Sequence, residues 1–303
     1  MAVLTTLDGR RTYRDCPAPA KLNLFLHVVG RRPDGYHLLE SVFQLIDFCD
    51  LLHFTCREDG QVERLTPVEN VTESDDLTVR AALLLKDTVK DRKGLIVPGV
   101  DIEIEKRIPA GGGLGGGSSD AATTLLALNR LWECGFSTGE LIGLGVKLGA
   151  DVPFFLFQKN AFAEGIGEKL TPVQTPEGWF VVIKPPVSVS TGLIFQSSEL
   201  TRDTEPITMK SYPNFSDPYI QAGRNDLQAA ASQLFPEIQD ALEDLGQYGN
   251  ARMTGSGACV FARFDTENEA EGVAAKLSGR WETMIARSLQ HHPFDLSGQY
   301  PGI

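Results

Sequence analysis

Six of the seven residues from Gly111 to Gly117 are glycine, with Leu114 the exception. No helix or strand interior accepts such a run, because glycine gives up more backbone freedom on ordering than any other residue. The segment must be a loop, and its flanks decide what kind. Ahead of it, Val100–Lys106 reads V-D-I-E-I-E-K, the strict alternation of a half-buried strand. Behind it, Ala121, Leu125, Leu128 and Trp132 recur at helical spacing. They predict a helix to about Leu131, with Ser118 or Ser119 as N-cap and Asp120 in the first turn. A helix that opens straight after a glycine loop offers unpaired N–H groups and a positive dipole end, which together form an anion site. Pro109, Ala110, Gly111, Gly112, Gly113, Leu114, Gly115, Gly116, Gly117, Ser118 and Ser119 are therefore candidate phosphate-binding residues. A flexible linker is the plainer alternative, but a linker does not sit between a strict strand and a capped helix.

Three known phosphate cradles can be compared with this one. A P-loop needs a lysine after its last glycine, and here Ser118 follows Gly117. Gly111, Gly113 and Gly116 satisfy G-x-G-x-x-G, so a dinucleotide fold is formally open. That fold requires a second parallel strand ending in an acid about 20 residues on. A second helix occupies that stretch instead, opened at Ser137 by a capping box with Glu140 and expected to stop at Gly149. A protein-kinase glycine loop runs into a strand carrying a V-A-I-K lysine, whereas this loop runs into a helix.

Elsewhere, Leu22, Leu24, Leu26 and Val28 share one face of a strand over residues 20–29, and Lys21, Asn23, Phe25 and His27 share the other. Arg31-Arg32-Pro33-Asp34-Gly35 marks a turn before the β-prone stretch Leu38–Phe54, so the chain opens on a hairpin. A helix is expected over Leu77–Thr88, and the apolar run Phe154–Phe157 after Ala150-Asp151-Val152-Pro153 reads as a strand. From about Gly165 the texture changes. Trp179–Lys184 reads as a strand, and a polar, proline-containing stretch follows to Pro218. Helices are expected after Asn225 and after Pro236, with a strand over Cys259–Phe264. Glu267–Leu277 is a helix opened by a T-E-N-E capping box, and Thr283–Arg287 a last strand. The order predicts an α+β chain divided into residues 1–165 and 166–303, the second part built on an antiparallel sheet.

A formal net charge of −12 argues against nucleic acid as a partner, since that affinity rests on lysines and arginines neutralising phosphates. Any anionic ligand must be held by local donors. No apolar run has the length of a membrane span, and the first sixteen residues lack the apolar core of a secretory signal. Five scattered cysteines without a C-x-x-C pair fit reduced thiols in the cytoplasm, and the five histidines lack metal spacing. No oligomeric state follows from the sequence.

Three segments together resemble the GHMP superfamily of small-molecule kinases: Pro19-Ala20-Lys21-Leu22-Asn23, Pro109–Ala122 and Thr254-Gly255-Ser256-Gly257-Ala258. Further segments are similar to the branch that phosphorylates a cytidine diphosphate-linked methylerythritol. They are Pro19–Asp50 with its Asp34-Gly35-Tyr36-His37, Gly149–Phe154, Asn225-Asp226-Leu227 and Arg252–Phe261. Other branches act on homoserine, mevalonate or sugars. The resemblance runs from Cys16 to Pro293. It implies an ATP-binding N-terminal domain like the second domain of ribosomal protein S5, and a ferredoxin-like C-terminal domain on the substrate side. ATP and Mg2+ are the implied cofactors, with no protein ligand assigned to the metal.

The resemblance also implies roles. Asp151 would take the proton of the acceptor alcohol, although by residue type a turn or capping aspartate fits equally. Lys21 would pair with it, keep it ionised and help neutralise the moving phosphoryl group. Asn23 lies on the same strand face, so it points into the same cleft. Tyr36 and Phe195 would sandwich the cytosine while His37 bonds its edge; by type alone, Phe195 is a core residue. Thr191, Thr254, Gly255, Ser256 and Gly257 would close the substrate side. Lys106 and Asp76 would lie near the nucleotide, but Asp76 stands where the family often has asparagine and lacks an amide to donate.

Overall fold

The computed structural model describes residues 3–68, 71–207 and 223–294. Two long strands, β2 (Arg10–Arg31) and β3 (His37–Arg57), pair antiparallel and run through the whole molecule. The turn between them is held by Arg32 N–H donating to the Tyr36 carbonyl at 2.7 Å and Gly35 N–H to the Arg32 carbonyl at 2.9 Å. Gly35 sits at φ +94°, a conformation open to glycine at little cost. The N-terminal residues form β1 (Val3–Leu7), which pairs with β2 only as far as Arg14.

The other edge of β3 takes three partners in succession. β6 (Ala161–Gly165) pairs with Leu39–Phe43, β11 (Glu282–Leu289) with Leu45 and Ile46, and β5 (Gly99–Glu105) with Leu51–Arg57. β4 (Val62–Arg64) and β7 (Lys169–Pro172) extend β5 and β6. Through β11 the sheet continues into β8 (Trp179–Lys184), β10 (Val260–Phe264) and β9 (Arg252–Met253), all antiparallel.

Helices α1 (Leu77–Lys93), α2 (Gly116–Leu131), α3 (Thr138–Gly145) and α4 (Val152–Phe157) share one core with β2, β3 and β5. Helices α5 (Thr191–Gln196), α6 (Gln228–Leu234), α7 (Pro236–Gly246) and α8 (Glu267–Leu277) pack in a second core with β8, β10 and the far end of β2. Between them, Leu22, Leu24 and Phe25 pack in a third cluster with Phe180, Val182 and Phe261. Residues 21–26 are buried throughout, because elements pack on both faces and along the edge of the strand.

Several expectations change here. α2 begins three or four residues early, at Gly116, with Gly115 at φ +75° in place of a serine N-cap. α3 ends at Gly145 rather than Gly149. Phe154–Phe157 belongs to a helix, not a strand: Pro153 occupies its first turn, where the missing N–H costs nothing, and Gln158 ends it at φ +63°. Four consecutive apolar residues carry no period, so the run itself could not decide. The polar stretch expected to Pro218 holds α5, and its continuation over 208–222 lies outside the described residues.

Candidate active site

Among the described residues, the outer edge of β2 beyond Arg14 has no strand partner, and loops satisfy it in turn. Lys21 N–H donates to the Leu114 carbonyl at 2.9 Å, Asn23 N–H to Thr254 Oγ1 at 2.9 Å, and Leu26 N–H to the Arg224 carbonyl at 3.0 Å. One strand edge thus gathers both glycine-rich loops around Lys21. The loops also touch each other. Cys259 N–H donates to the Gly112 carbonyl at 3.1 Å, and a Cβ on Gly257 would stand 2.0 Å from the Gly113 nitrogen. The glycines at 113 and 257 therefore serve loop-on-loop contact, beside the phosphate-binding and substrate-closing roles expected of them.

Lys21 is buried, at 4% exposure, while Asp151 remains 36% exposed. The ammonium donates to Asn23 Oδ1 at 2.5 Å, lies 3.7 Å from Asp151 Oδ2, and sits 5.2 Å from the centre of the Phe43 ring. Asn23 is fixed in turn, donating through Nδ2 to Ser41 Oγ at 2.8 Å, and Ser41 donates to the Phe25 carbonyl at 2.6 Å. Burial pulls the Lys21 pKa down, with Asp151 working against it. Asp151 occupies the N-cap position of α4, yet its side chain makes no capping hydrogen bond. It faces Lys21.

These groups line a cavity of about 810 Å³ that runs from Gly113, Gly115 and Ser118 past Lys21 and Asp151 to Tyr36, His37 and Phe195. At one end, α2 presents the unbonded N–H groups of its first turn behind Gly115, an anion-binding terminus on a 16-residue helix. At the other, His37 and Phe195 stack with ring centres 4.8 Å apart and Tyr36 stands 62% exposed. His37 Nε2 is buried without a partner among the described residues. Burial, then Arg202 and Arg31, lower the His37 pKa and keep the ring neutral near pH 7. Thr191 Oγ1 and Ser256 Oγ share a 2.8 Å hydrogen bond, joining α5 to the second glycine loop.

Of the residues the sequence nominated, Lys21, Asn23, Tyr36, His37, Gly113, Gly115, Ser118, Asp151, Thr191, Phe195, Gly255 and Ser256 meet in this cavity. Pro109, Ala110, Gly111, Gly112, Gly116 and Gly117 lie outside its walls, with Ala110, Gly111 and Gly117 exposed. Thr254, Ser119 and Leu114 are buried behind the cavity, and Gly257 packs on the first loop. Asp76 is not brought there. At 5% exposure it caps α1, accepting from Thr78 N–H at 2.8 Å, and pairs with Arg64 at 2.6 Å. Burial works to raise its pKa, but Thr78 and Arg64 hold it below the usual range. Lys106 is also committed: its ammonium lies 2.5 Å from Asp50 and 2.7 Å from Asp120. Sequence reasoning missed Ser41, Phe43, Asp50 and Arg202. The first three fall within the Pro19–Asp50 segment, but nothing in their spacing singles them out, and the strand pairings and loop contacts place them. Among the described residues, no three His, Cys, Asp or Glu side chains converge as a metal site, and no helix is long and apolar enough to cross a membrane.

Comparison with known proteins gives the family and the fold. Residues 76–159 match the GHMP kinases N terminal domain and residues 217–283 the GHMP kinases C terminal. The 4-diphosphocytidyl-2-C-methyl-D-erythritol kinase of Herminiimonas arsenicoxydans is 58% identical over 283 residues, 93% of this chain and 97% of that one. That of Janthinobacterium sp. (strain Marseille) is 56% identical over 282 residues, 93% and 96% of the two chains. Among solved structures, a 4-(cytidine 5'-diphospho)-2C-methyl-D-erythritol kinase superimposes with TM-score 0.77 at 32% identity, covering 90% of this chain and 98% of that one. A homoserine kinase from Cytophaga hutchinsonii gives 0.69 at 14% identity over 96% and 98%, a likeness of fold.

Proposed function

Because this chain belongs to the 4-diphosphocytidyl-2-C-methyl-D-erythritol kinase family, within the GHMP kinases, we propose that Lys21 and Asp151 carry its phosphoryl transfer. The enzyme phosphorylates the 2-hydroxyl of 4-diphosphocytidyl-2-C-methyl-D-erythritol with ATP, giving the 2-phosphate and ADP, a step toward isopentenyl diphosphate by the non-mevalonate route. The observation that carries the residue assignment is the Lys21–Asp151 pair at 3.7 Å, in the same cavity as a helix terminus and an aromatic mouth.

The triphosphate lies with its end at the α2 terminus, where N–H groups and the helix dipole favour negative charge. The acceptor hydroxyl oxygen attacks the γ-phosphorus, the bond to the β,γ-bridging oxygen breaks, and ADP leaves. An alcohol is too weak an acid to give up its proton before attack, so Asp151 orients the hydroxyl and accepts its proton as the O–P bond forms. Lys21, fixed by Asn23, neutralises charge that grows on the moving phosphoryl group. Magnesium belongs to the substrate, as MgATP.

At the mouth, Tyr36 and Phe195 take the cytosine between their faces, and neutral His37 offers its unpartnered Nε2 to the base edge. Phe195 now rests on His37, so the base enters as Phe195 turns away. Thr191 and Ser256 hold this mouth to the second glycine loop. Thr254 acts from behind, through the Asn23 backbone. The division into an ATP-binding part, 1–165, and a substrate-side part, 166–303, fits the two helical cores, and we place the protein in the cytoplasm. An ADP-release assay with the cytidylated substrate, homoserine, mevalonate and sugars tests the reading. Turnover only on a non-cytidylated acceptor would overturn it.

A further inference from the structure

The Lys106 ammonium sits between two carboxylates, 2.5 Å from Asp50 Oδ2 and 2.7 Å from Asp120 Oδ2. Each carboxylate reaches a different part of the cradle. Asp50, on β3, accepts through Oδ1 from the N–H groups of Arg107 at 2.6 Å and Ile108 at 2.8 Å, which lead into the glycine loop. Asp120 belongs to α2, one turn past the terminus that takes phosphates, and its Oδ1 is buried without a partner among the described residues. The ammonium stands 3.5 Å from where a Cβ on Gly116, the first residue of α2, would be. β3, the loop entrance and α2 are thus fastened at one joint.

The formal charge of the joint is −2 from Asp50 and Asp120 plus +1 from Lys106, hence −1. Without the lysine it becomes −2, directly beneath a site for a polyanion. A lysine that left to grip a phosphate would abandon two buried carboxylates with no counter-ion, which is strongly disfavoured. We propose that Lys106 is a positioning residue: it stays on Asp50 and Asp120 throughout turnover and favours ATP through them, cancelling acidic charge under the α2 terminus and fixing the loop entrance. This differs from a lysine that binds the nucleotide itself. It rests on the reading that α2 receives the phosphates.

Steady-state kinetics of wild type, K106M and K106M/D120N separate the two roles. K106M takes the formal charge of the joint to −2, and the double variant returns it to −1 by replacing the Asp120 carboxylate with an uncharged amide. K106M should raise the KM for ATP about ten-fold, equivalent to about 1.4 kcal/mol, and leave the KM for the acceptor within about two-fold. The double variant should return the KM for ATP to within about three-fold of wild type. The proposal is overturned if the double variant stays as impaired as K106M, since removing a carboxylate cannot replace a direct phosphate ligand. An unchanged KM for ATP in K106M overturns it as well. If K106M does not fold, the double variant against wild type decides on the same threshold. Failure of the underlying reading would show differently, as wild-type enzyme that does not turn over MgATP with the acceptor.

Discussion

Replacing Lys21 with methionine should abolish most activity while leaving the fold as stable as before. At 3.7 Å, with an effective dielectric constant near 20, Lys21 and Asp151 attract by about 4 kcal/mol. Asp151 is a third exposed, and solvent screening reduces this to about 2 kcal/mol. Against that stands the burial of the ammonium, which already pulls the Lys21 pKa down in spite of Asp151. Methionine matches the length of the lysine stem, suits the wall formed by Phe43, and leaves Asp151 free to meet water. The two stability effects oppose, so unfolding in urea should move by less than about 1 kcal/mol. The sign with pH follows from the depressed lysine. Folded protein holds fewer protons than unfolded protein between the lowered Lys21 pKa and about 10.4, so wild-type stability rises with pH across that window. Any advantage of K21M should shrink over the same range.

Catalysis has no such compensation. Removing one preorganised charge from a phosphoryl-transfer site costs about 3–4 kcal/mol, so kcat in an ADP-release assay should fall by roughly 10²–10³-fold. A K21M enzyme that keeps kcat within about ten-fold of wild type would refute the electrostatic role. So would one that lost activity only in proportion to lost folded protein.

Asp151→Ala should lower kcat by about 10³-fold with ATP affinity nearly unchanged; it loses no capping bond but leaves the Lys21 ammonium buried without its carboxylate, so urea unfolding should show a loss of up to about 2 kcal/mol. Titration with a fluorescent ATP analogue checks the affinity. Phe195→Ala should raise the KM for the cytidylated acceptor by roughly 5–150-fold, the range of 1–3 kcal/mol per stacked base, and leave the KM for ATP alone; an equal rise in both would put Phe195 outside the base site. Gly257→Ala should cost about 2–3 kcal/mol in a urea titration, since the new Cβ meets backbone at 2.0 Å rather than a side chain that can move. Asp120 has a raised pKa, from burial and nearby Asp50 against the pull of Lys106, so its contribution is present below about pH 3.9 and lost as pH rises through the folded-state value. Asp120→Asn should therefore melt higher than wild type near pH 8, with the gap closing toward pH 4; a gap independent of pH would contradict the buried-charge argument.

Elements with their own start signals were readable in the sequence. Ser137 and Glu140, and Thr266 and Glu269, form the capping boxes that the spacing predicted, and the α8 helix has the expected ends. Lys21 and Asn23, two apart on a strand, do point together and share a hydrogen bond. The misread segments lacked a local signal. The run at residues 154–157 has no hydrophobic period, and α5 is one short turn and a half inside a polar stretch. Phe195 shows why side-chain type was not enough: it is partly buried against the second core and also stacks on His37 at the cavity mouth, a placement that its residue type does not encode.

What the sequence could not supply was the edge of β2. Motifs near residues 20, 114 and 254 are separated by most of the chain, and neither alternation nor glycine content says that they meet. They meet because β1 stops pairing at Arg14, which leaves a row of strand N–H groups that must find acceptors when buried. Leu114 supplies a carbonyl, Thr254 a hydroxyl and Arg224 a carbonyl. The requirement that buried donors be satisfied therefore brings the phosphate loop and the substrate-side loop to one strand. Lys21 lies between these contacts, and its side chain projects where the two loops converge. The site is thus a consequence of an unfinished strand edge, and altering the Leu114 or Thr254 contact should disturb Lys21 before it disturbs the cores.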